Sequence, residues 1–376
     1  MFFIIGIFIA VFLSLLLLIK KNKSRADKIL LIWLLLLALH QFLNYILFTG
    51  EAYNYPHLLG VQFSMPILHG VLLYFYVMEI TGNKLNNRWI VLLHLVPTLS
   101  LILLAIPYYI LSGEQKINVF ENDGIGFELY SIYLNILIPL SGLIYSVWSL
   151  ILIRKHQKSI QDRFSNTDKK ELQWLRYLSI GYAIIWVLSI FFESETIFTA
   201  VVILVLFIGF FGINQLNIFY STIVLEKKLE PQGTSNKKET IKGGVNAKTT
   251  TEKYEKSGLN EEMASQISTD LNTLVKENTI YKNEELTLVE LAKQLQVHPN
   301  HLSQVINEVE GKNFYNYINA LRINEFIKLA SLPENQKYTM ISLAYDCGFS
   351  TKSTFNKHFK LQTGKTPTEF FNTLSN

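Results

Sequence analysis

Two hydrophobic rhythms divide the 376-residue chain near residue 220. Before that point apolar residues form seven long runs, at about 2–19, 29–48, 61–80, 89–111, 129–153, 175–192 and 197–219. Each approaches the roughly 20 residues with which a helix crosses about 30 Å of hydrocarbon. After residue 260 apolar positions recur instead at spacings of three and four, the period of amphipathic helices around a water-soluble core. The pattern predicts an all-α chain in three parts: a seven-transmembrane helical bundle over 1–222, a polar linker over 223–260 and a cytoplasmic helical domain over 261–376.

The C-terminal part resolves into helices with readable ends. Met263, Ile267, Leu271, Leu274 and Val275 define one amphipathic helix from Glu261. Thr287 with Glu290 three residues on is a capping box, opening a helix whose inner face carries Leu288, Leu291, Ala292 and Leu295. A turn at Gln296 and Val297 leads to Pro299, at a favoured first helical position, and to a helix that buries Leu302, Val305 and Ile306 before Gly311. Two short helices joined by so tight a turn make a helix-turn-helix. A longer helix follows, from about Phe314 to Ser331, and then the theme repeats. Ile341, Leu343, Ala344 and Cys347 line one short helix, Gly348 ends it, and Ser350 or Thr351 begins a second one bearing Phe355 and Phe359. Pro367 opens a last turn that buries Phe370. The domain is therefore expected to be a double helix-turn-helix.

Between the two halves, residues 226–260 hold almost no large apolar groups, and such a segment cannot bury enough surface to offset its ordering entropy. A flexible tether is expected. It would reach on the order of 110 Å when stretched at about 3.3 Å per residue, and roughly 30–35 Å as a coil.

Charge adds an orientation. The net charge of +4 says little by itself, but its distribution is one-sided. The loops after the first, third and fifth runs carry Lys20, Lys21, Lys23, Arg25, Lys28, Lys84, Arg88, Arg154, Lys155, Lys158, Arg163, Lys169, Lys170 and Arg176. The alternate loops carry only Lys116, beside Glu51, Glu114, Glu121, Asp123, Glu128, Glu193 and Glu195. By the positive-inside rule the N-terminus is expected outside and the C-terminal domain in the cytoplasm of a bacterial inner membrane. The first run has no basic residue before it and no small-residue cleavage site after it, so an uncleaved span is expected, not a signal peptide.

Polar side chains inside apolar runs are costly and therefore informative. His40, Gln41 and Asn44 share a helical face in the second run, His69 lies in the third, His94 in the fourth, and Asn135 with Pro139 in the fifth. They read either as a ligand pocket or as interhelical hydrogen bonds that hold the bundle together. The last run has no lysine for a retinal Schiff base, and the chain lacks the external cysteine pair and the Asn-Pro pair of receptors that couple to G proteins. The lone cysteine, Cys347, excludes an internal disulfide and a multi-cysteine zinc site; a small core residue is its expected role.

The string YTMISLAYDCGFSTKSTFNKHFKLQTGKTPTEF is the most specific signal in the chain. It resembles the signature of the AraC/XylS family of bacterial transcription regulators at Ile341, Ala344, Gly348, Phe349, Ser353, Phe355, Lys357, Phe359, Lys360, Gly364, Thr366 and Pro367. The first unit matches at Leu288, Leu291, Ala292, Leu302, Ser303, Gly311, Phe314, Tyr317, Ile318 and Arg322. The resemblance covers about 262–372, and the combination with seven spans resembles bacterial membrane-bound AraC-type regulators. Three positions depart from the pattern. His298 stands where a serine cap is frequent, which predicts a weaker cap. Phe326 replaces a smaller residue, and Phe371 stands where an arginine often follows the final aromatic.

The resemblance implies that the second helix of each unit enters the major groove of double-stranded DNA, with the long helix setting their separation against the roughly 34 Å turn of the duplex. The expected contacts are Asn300, His301, Ser303, Gln304 and Asn307 on the first reader, and Lys352, Ser353, Asn356, Lys357 and Lys360 on the second. Taken singly each reads as a solvated helix face; the family match and helical position favour DNA. Amides pair best with adenine edges, so an A·T-leaning first half-site is expected. Lys360 is expected on phosphate, and residues 311–376 hold eight Lys or Arg against four acids.

The expected function is a membrane-tethered, sequence-specific transcription regulator, with DNA and the lipid bilayer as partners and a small-molecule or envelope signal and a second copy of the chain as further ones. The other reading is a transporter or channel whose cytoplasmic domain is regulatory or protein-binding. No nucleotide loop, metal-ligand cluster or nucleophile motif is seen, so neither an enzyme nor a cofactor or metal site is expected.

Overall fold

The computed structural model describes residues 2–83, 87–168, 170–192, 194–215 and 259–374. Most of the linker and the tail of the last apolar run lie outside them. The described residues form helices and turns with no strand among them; one isolated antiparallel bridge pairs Phe164 with Thr287. The chain packs as two units, Met1–His156 with Leu172–Tyr220, and Gln157–Glu171 with Ser221–Asn376.

In the first unit, apolar helices stand at the expected places: α1 (Phe2–Ile19), α2 (Arg25–Phe48), α3 (Met65–Ile80), α4 (Arg88–Tyr109), then α6 (Glu128–Gln161, running on into the second unit), α7 (Gln173–Phe191) and α8 (Ser194–Gln215). A short α5 (Gly113–Glu121), which the apolar pattern did not announce, lies between α4 and α6 and is opened by a Ser112–Gln115 capping box. Five segments are long and apolar enough to cross a membrane: Arg25–Phe48, Pro56–Ile80, Arg88–Tyr109, Glu128–Gln161 and Gln173–Phe191. Phe3–Ile19 and Thr196–Phe211 are apolar but shorter. Short 3-10 turns occupy the start of the third run, and α3 begins only at Met65, with Pro66 in its first turn where a missing N–H costs nothing.

Ends and crossings follow from local chemistry. Ser24 and Asp27 form a reciprocal capping box at the start of α2, and Lys20 closes a 2.7 Å ion pair on the Asp27 carboxylate. Glycines let side chains of neighbouring helices approach the backbone. A Cβ at Gly142 would collide with the Trp186 indole, and one at Gly70 would come within 3.0 Å of the Tyr145 ring.

The second unit holds α9 (Glu261–Asn278), α10 (Leu288–Gln294), α11 (Pro299–Val309), α12 (Phe314–Ala330), α13 (Met340–Asp346), α14 (Lys352–Thr363) and α15 (Pro367–Leu374). It has two cores that share α12. Phe314 and Ile318 pack with Leu291, Ala292, Leu302 and Val305 in the first. Ile323 and Phe326 pack with Ala344, Cys347, Phe355 and Phe359 in the second. Phe326 is fully buried and meets the Phe355 and Phe359 rings edge to face at 4.6 and 5.7 Å. Its larger side chain is thus absorbed by an aromatic cluster, an arrangement that adds to the gain from burying apolar surface.

Residues Gln157–Glu171, expected as a basic loop of the N-terminal domain, pack with this second unit. The reason is a buried polar knot. Arg322, only 1% exposed, donates from Nε to the Tyr281 carbonyl at 2.7 Å, and from Nη2 to the Asn283 carbonyl at 2.7 Å and Ser165 Oγ at 3.0 Å. Asn319 adds a 3.1 Å bond to the Ser165 carbonyl. Two backbone bonds complete the bridge, Ser165 N–H to Leu286 and Leu288 N–H to Arg163. A buried cation needs such satisfaction to persist. Burial pulls the Arg322 pKa down to about 10, so it remains charged at neutral pH.

Candidate nucleic-acid interface

Each helix-turn-helix is assembled by signals local to it. Thr287 Oγ1 accepts from the Glu290 N–H while the Glu290 carboxylate accepts from the Thr287 N–H, so α10 starts on the capping box its spacing implied. The turn to α11 passes through Gln296 at φ +56, and the Val297 N–H returns to the Ala292 carbonyl at 3.0 Å. His298 then caps α11: its Nδ1 accepts from the Asn300 N–H at 3.2 Å, where a serine is the commoner cap. Leu302, Val305 and Ile306 turn inward.

The second unit repeats the plan. Thr339 caps α13 and Thr351 caps α14, each accepting from a backbone N–H three residues on. Gly348 sits between them at φ +96, where a Cβ would stand 2.7 Å from the Lys282 carbonyl oxygen and 3.0 Å from Arg322 Nε. Only glycine suits both the conformation and the close approach.

The predicted contact residues fall on the outer faces of α11 and α14. On α11, Asn300 and Asn307 are exposed, while His301, Ser303 and Gln304 are half-buried. Two of these amides are held by their own helix: Gln304 Nε2 donates to Glu308 at 3.1 Å, and Asn307 Nδ2 to the Ser303 carbonyl at 2.8 Å. On α14, Lys352, Ser353, Lys357 and Lys360 are exposed and Asn356 is half-buried. Lys357 Nζ lies 5.7 Å from the centre of the Tyr315 ring, a cation–π contact that steadies the ammonium without neutralising it.

Two residues of this region escaped the periodic reading. His358, 3% exposed, stands edge to face on Tyr315 with ring centres 4.8 Å apart. Burial, helped by the charges of Lys357 and Arg322, pushes its pKa down to about 4. Arg322 enters the sequence reading only through the family resemblance; apart from Asn319, its partners lie 38 to 157 residues away in sequence, beyond any local period. Cys347 is fully buried, and burial lifts its thiol pKa to about 12, which leaves no thiolate at neutral pH.

The polar side chains of the first unit form two groups. His40 Nδ1 and His69 Nε2 lie 3.0 Å apart, with the rings stacked, and Asn44 bonds the His40 carbonyl at 2.9 Å. Gln41 is buried beside them on α2, with neither amide atom in a hydrogen bond. His94 instead pairs with the Tyr145 hydroxyl at 3.0 Å, among Tyr74 and Trp148. Among the described residues no group of three or more His, Cys, Asp or Glu is placed to hold a metal ion.

Residues 291–373 match the family described as "Helix-turn-helix domain", so the C-terminal part of the chain carries such a domain. The chain is also 35% identical over 91 residues to a Bacillus subtilis (strain 168) protein named "Uncharacterized HTH-type transcriptional regulator YobQ". That alignment takes in 24% of this chain and 36% of the relative, so the likeness spans about a third of the relative's length. No solved structure matches the chain.

Proposed function

We propose that this protein is a membrane-tethered, sequence-specific DNA-binding transcription regulator. The observation that carries the reading is the pair of helix-turn-helix units whose second helices, α11 and α14, present amides, hydroxyls and lysines outward while α12 ties their cores together. At 17 residues α12 is about 26 Å long by the 1.5 Å helical rise, a strut of the size needed to address one face of a duplex at neighbouring turns. In this reading Asn300, His301, Ser303, Gln304 and Asn307 read bases in the first half-site, which leans to A·T. Ser353, Asn356 and Lys357 read the second, and Lys352 and Lys360 hold phosphate.

Membrane tethering draws its support from the five helices of spanning length and from the basic residues that recur in every second loop. In this reading the N-terminus lies outside, the C-terminal domain lies in the cytoplasm, and residues 223–260 serve as the tether between them. The apolar helices carry the signal-receiving role, a small-molecule or envelope cue altering DNA binding, and two copies on one operator would gain from a high effective concentration.

The test is footprinting of genomic DNA by the full-length protein in nanodiscs, with a Gln304→Ala/Lys357→Ala variant alongside. The expected result is a small set of protected sites that the variant loses. Binding no better than to random DNA would overturn the proposal.

A further inference from the structure

The tip of the Gln157–Glu171 segment sits on the second reader. Asp168 Oδ2 accepts hydrogen bonds from Ser350 Oγ at 2.8 Å and Thr351 Oγ1 at 3.0 Å, and Oδ1 accepts from Thr354 Oγ1 at 3.1 Å. Three hydroxyls around the N-terminus of the 12-residue α14 thus converge on one carboxylate. Hydroxyls and backbone N–H groups at the start of a helix are also the groups that hold a DNA phosphate. A carboxylate there fills an anion's place with an anion.

The segment is also fastened on either side of Asp168. Asn166 Nδ2 donates to Glu285 at 2.9 Å, and Lys170 Nζ forms a 2.8 Å ion pair with the same Glu285 side chain. With the Phe164–Thr287 bridge and the Ser165–Arg322 bonds, residues 163–168 reach from the cap of α10, in the first helix-turn-helix, to the cap of α14 in the second. In sequence this strap is the only link between α6 and α7, so both of its ends are covalently continuous with apolar helices.

From these contacts we infer that residues 163–168 are an autoinhibitory strap, and that Asp168 competes with a DNA phosphate for the hydroxyls of Ser350, Thr351 and Thr354. The inference rests on the DNA-binding reading and names how that site is regulated. Strap and operator exclude one another by position and by like charge. A signal that moves α6 against α7 draws Asp168 off α14 and frees the second reader. The buried Ser165 knot stays as the hinge about which the tip swings. A strap closed nine-tenths of the time weakens apparent DNA affinity about ten-fold, because only the open fraction binds.

The experiment compares full-length wild type, Asp168→Asn and Glu285→Ala in nanodiscs on a site found by footprinting. Asp168→Asn removes the competing charge; Glu285→Ala frees Asn166 and Lys170, which flank Asp168, without touching α14. Both are expected to bind the site at least about ten-fold more tightly, with the melting profile of the domain unchanged for Glu285→Ala. An Asp168→Cys/Ser350→Cys variant, oxidised to lock the strap, is expected to lose site binding and regain it on reduction. Specific binding of equal affinity in all variants, or undiminished binding by the oxidised pair, overturns the strap and leaves the regulator standing. Absence of specific binding in wild type and every variant overturns both.

Discussion

Replacing Arg322 with methionine tests the polar knot that joins the 157–171 segment to the helix-turn-helix domain. Methionine matches the aliphatic stem but offers no donors. The buried Tyr281 carbonyl, now 2.7 Å from Nε, would lose that donor, and the Asn283 carbonyl, also 2.7 Å from a guanidinium nitrogen, would keep the Leu286 N–H but lose its charged partner. A buried acceptor stripped of its donor costs about 1–3 kcal/mol, and the lost stacking of the guanidinium over Phe349 adds to this. Removing a buried cation returns part of that cost, since its desolvation no longer opposes folding. The net expectation is a loss of about 3 kcal/mol, or roughly a hundred-fold in the local opening equilibrium. All five tryptophans lie in the first unit, so fluorescence would miss the effect. Hydrogen exchange of peptides from 280–288 and 314–330 in the full-length protein reads it directly. Arg322→Lys should recover less than half, because one ammonium cannot serve acceptors spread over the guanidinium fork. A Ser165→Ala change in the Arg322→Met background should cost little, whereas in wild type it should cost about 1 kcal/mol. If Arg322→Met changes exchange by less than about three-fold, or the two changes add, the knot is not what holds the segment.

Three further outcomes are expected. The folded pKa of His358 is about 4 against an ordinary 6.5, so below pH 6.5 the unfolded chain takes up a proton that the folded domain refuses. Stability is therefore lost as pH falls from 6.5 to 4, by up to about 3 kcal/mol for a shift of this size; pH-resolved exchange of α14 should show the loss, and His358→Phe should flatten the profile. Thr287→Ala deletes the α10 capping box and should cost about 1 kcal/mol, measured by exchange at 288–294; an unchanged rate there would mean that the strap bridge, not the cap, holds the helix start. Lys360→Ala should weaken binding to all sequences alike and lower the salt slope by about one, whereas Gln304→Ala should relax base preference at one position; base-selective loss from Lys360→Ala would remove it from the phosphate role.

Much of the C-terminal domain is legible because its signals are short-ranged. Thr287 with Glu290, Pro299, Gly311 and Gly348 each fix a helix end through atoms within a few residues, and the inward positions of α10 to α14 follow the helical period. The outer faces of α11 and α14 come with that period, so the predicted DNA-contact residues lie exposed or half-buried there. The first unit is legible as apolar helices for the same reason. Its α5 was not, since nine residues with Ser112 and Gln115 at one end carry too little apolar repeat to stand out from a loop. The strap was invisible for a different reason. Residues 163–170 are polar and basic, and such a stretch between apolar runs reads as a loop near lipid headgroups. Its partners, Glu285, Arg322 and Ser350, lie 115 to 182 residues away, and no period connects them. His298 was read as a weaker cap because serine is the commoner residue; its ring nitrogen nevertheless reaches the Asn300 N–H.

The two readers are unequal, and the inequality bears on where control can act. On α11 the amides of Gln304 and Asn307 already bond groups one turn along their own helix. Reading a base there exchanges one hydrogen bond for another and gains little net affinity, though it gains discrimination, because a mismatched base leaves the amide with a poorer partner than the one it left. On α14, in the proposed reading, Lys352 and Lys360 neutralise phosphates and so release counterions, the term that weighs most in affinity and follows salt. A regulator that had to be silenced without losing its sequence preference would therefore be blocked most effectively at α14. Blocking α11 would sacrifice selectivity while leaving non-specific affinity in place. Asp168 lies at the α14 cap, whereas the strap meets the first unit at Glu285, Leu286, Thr287 and Leu288, before and at the start of α10. In this arrangement the open state differs from the closed one mainly in affinity and very little in the sequence it prefers.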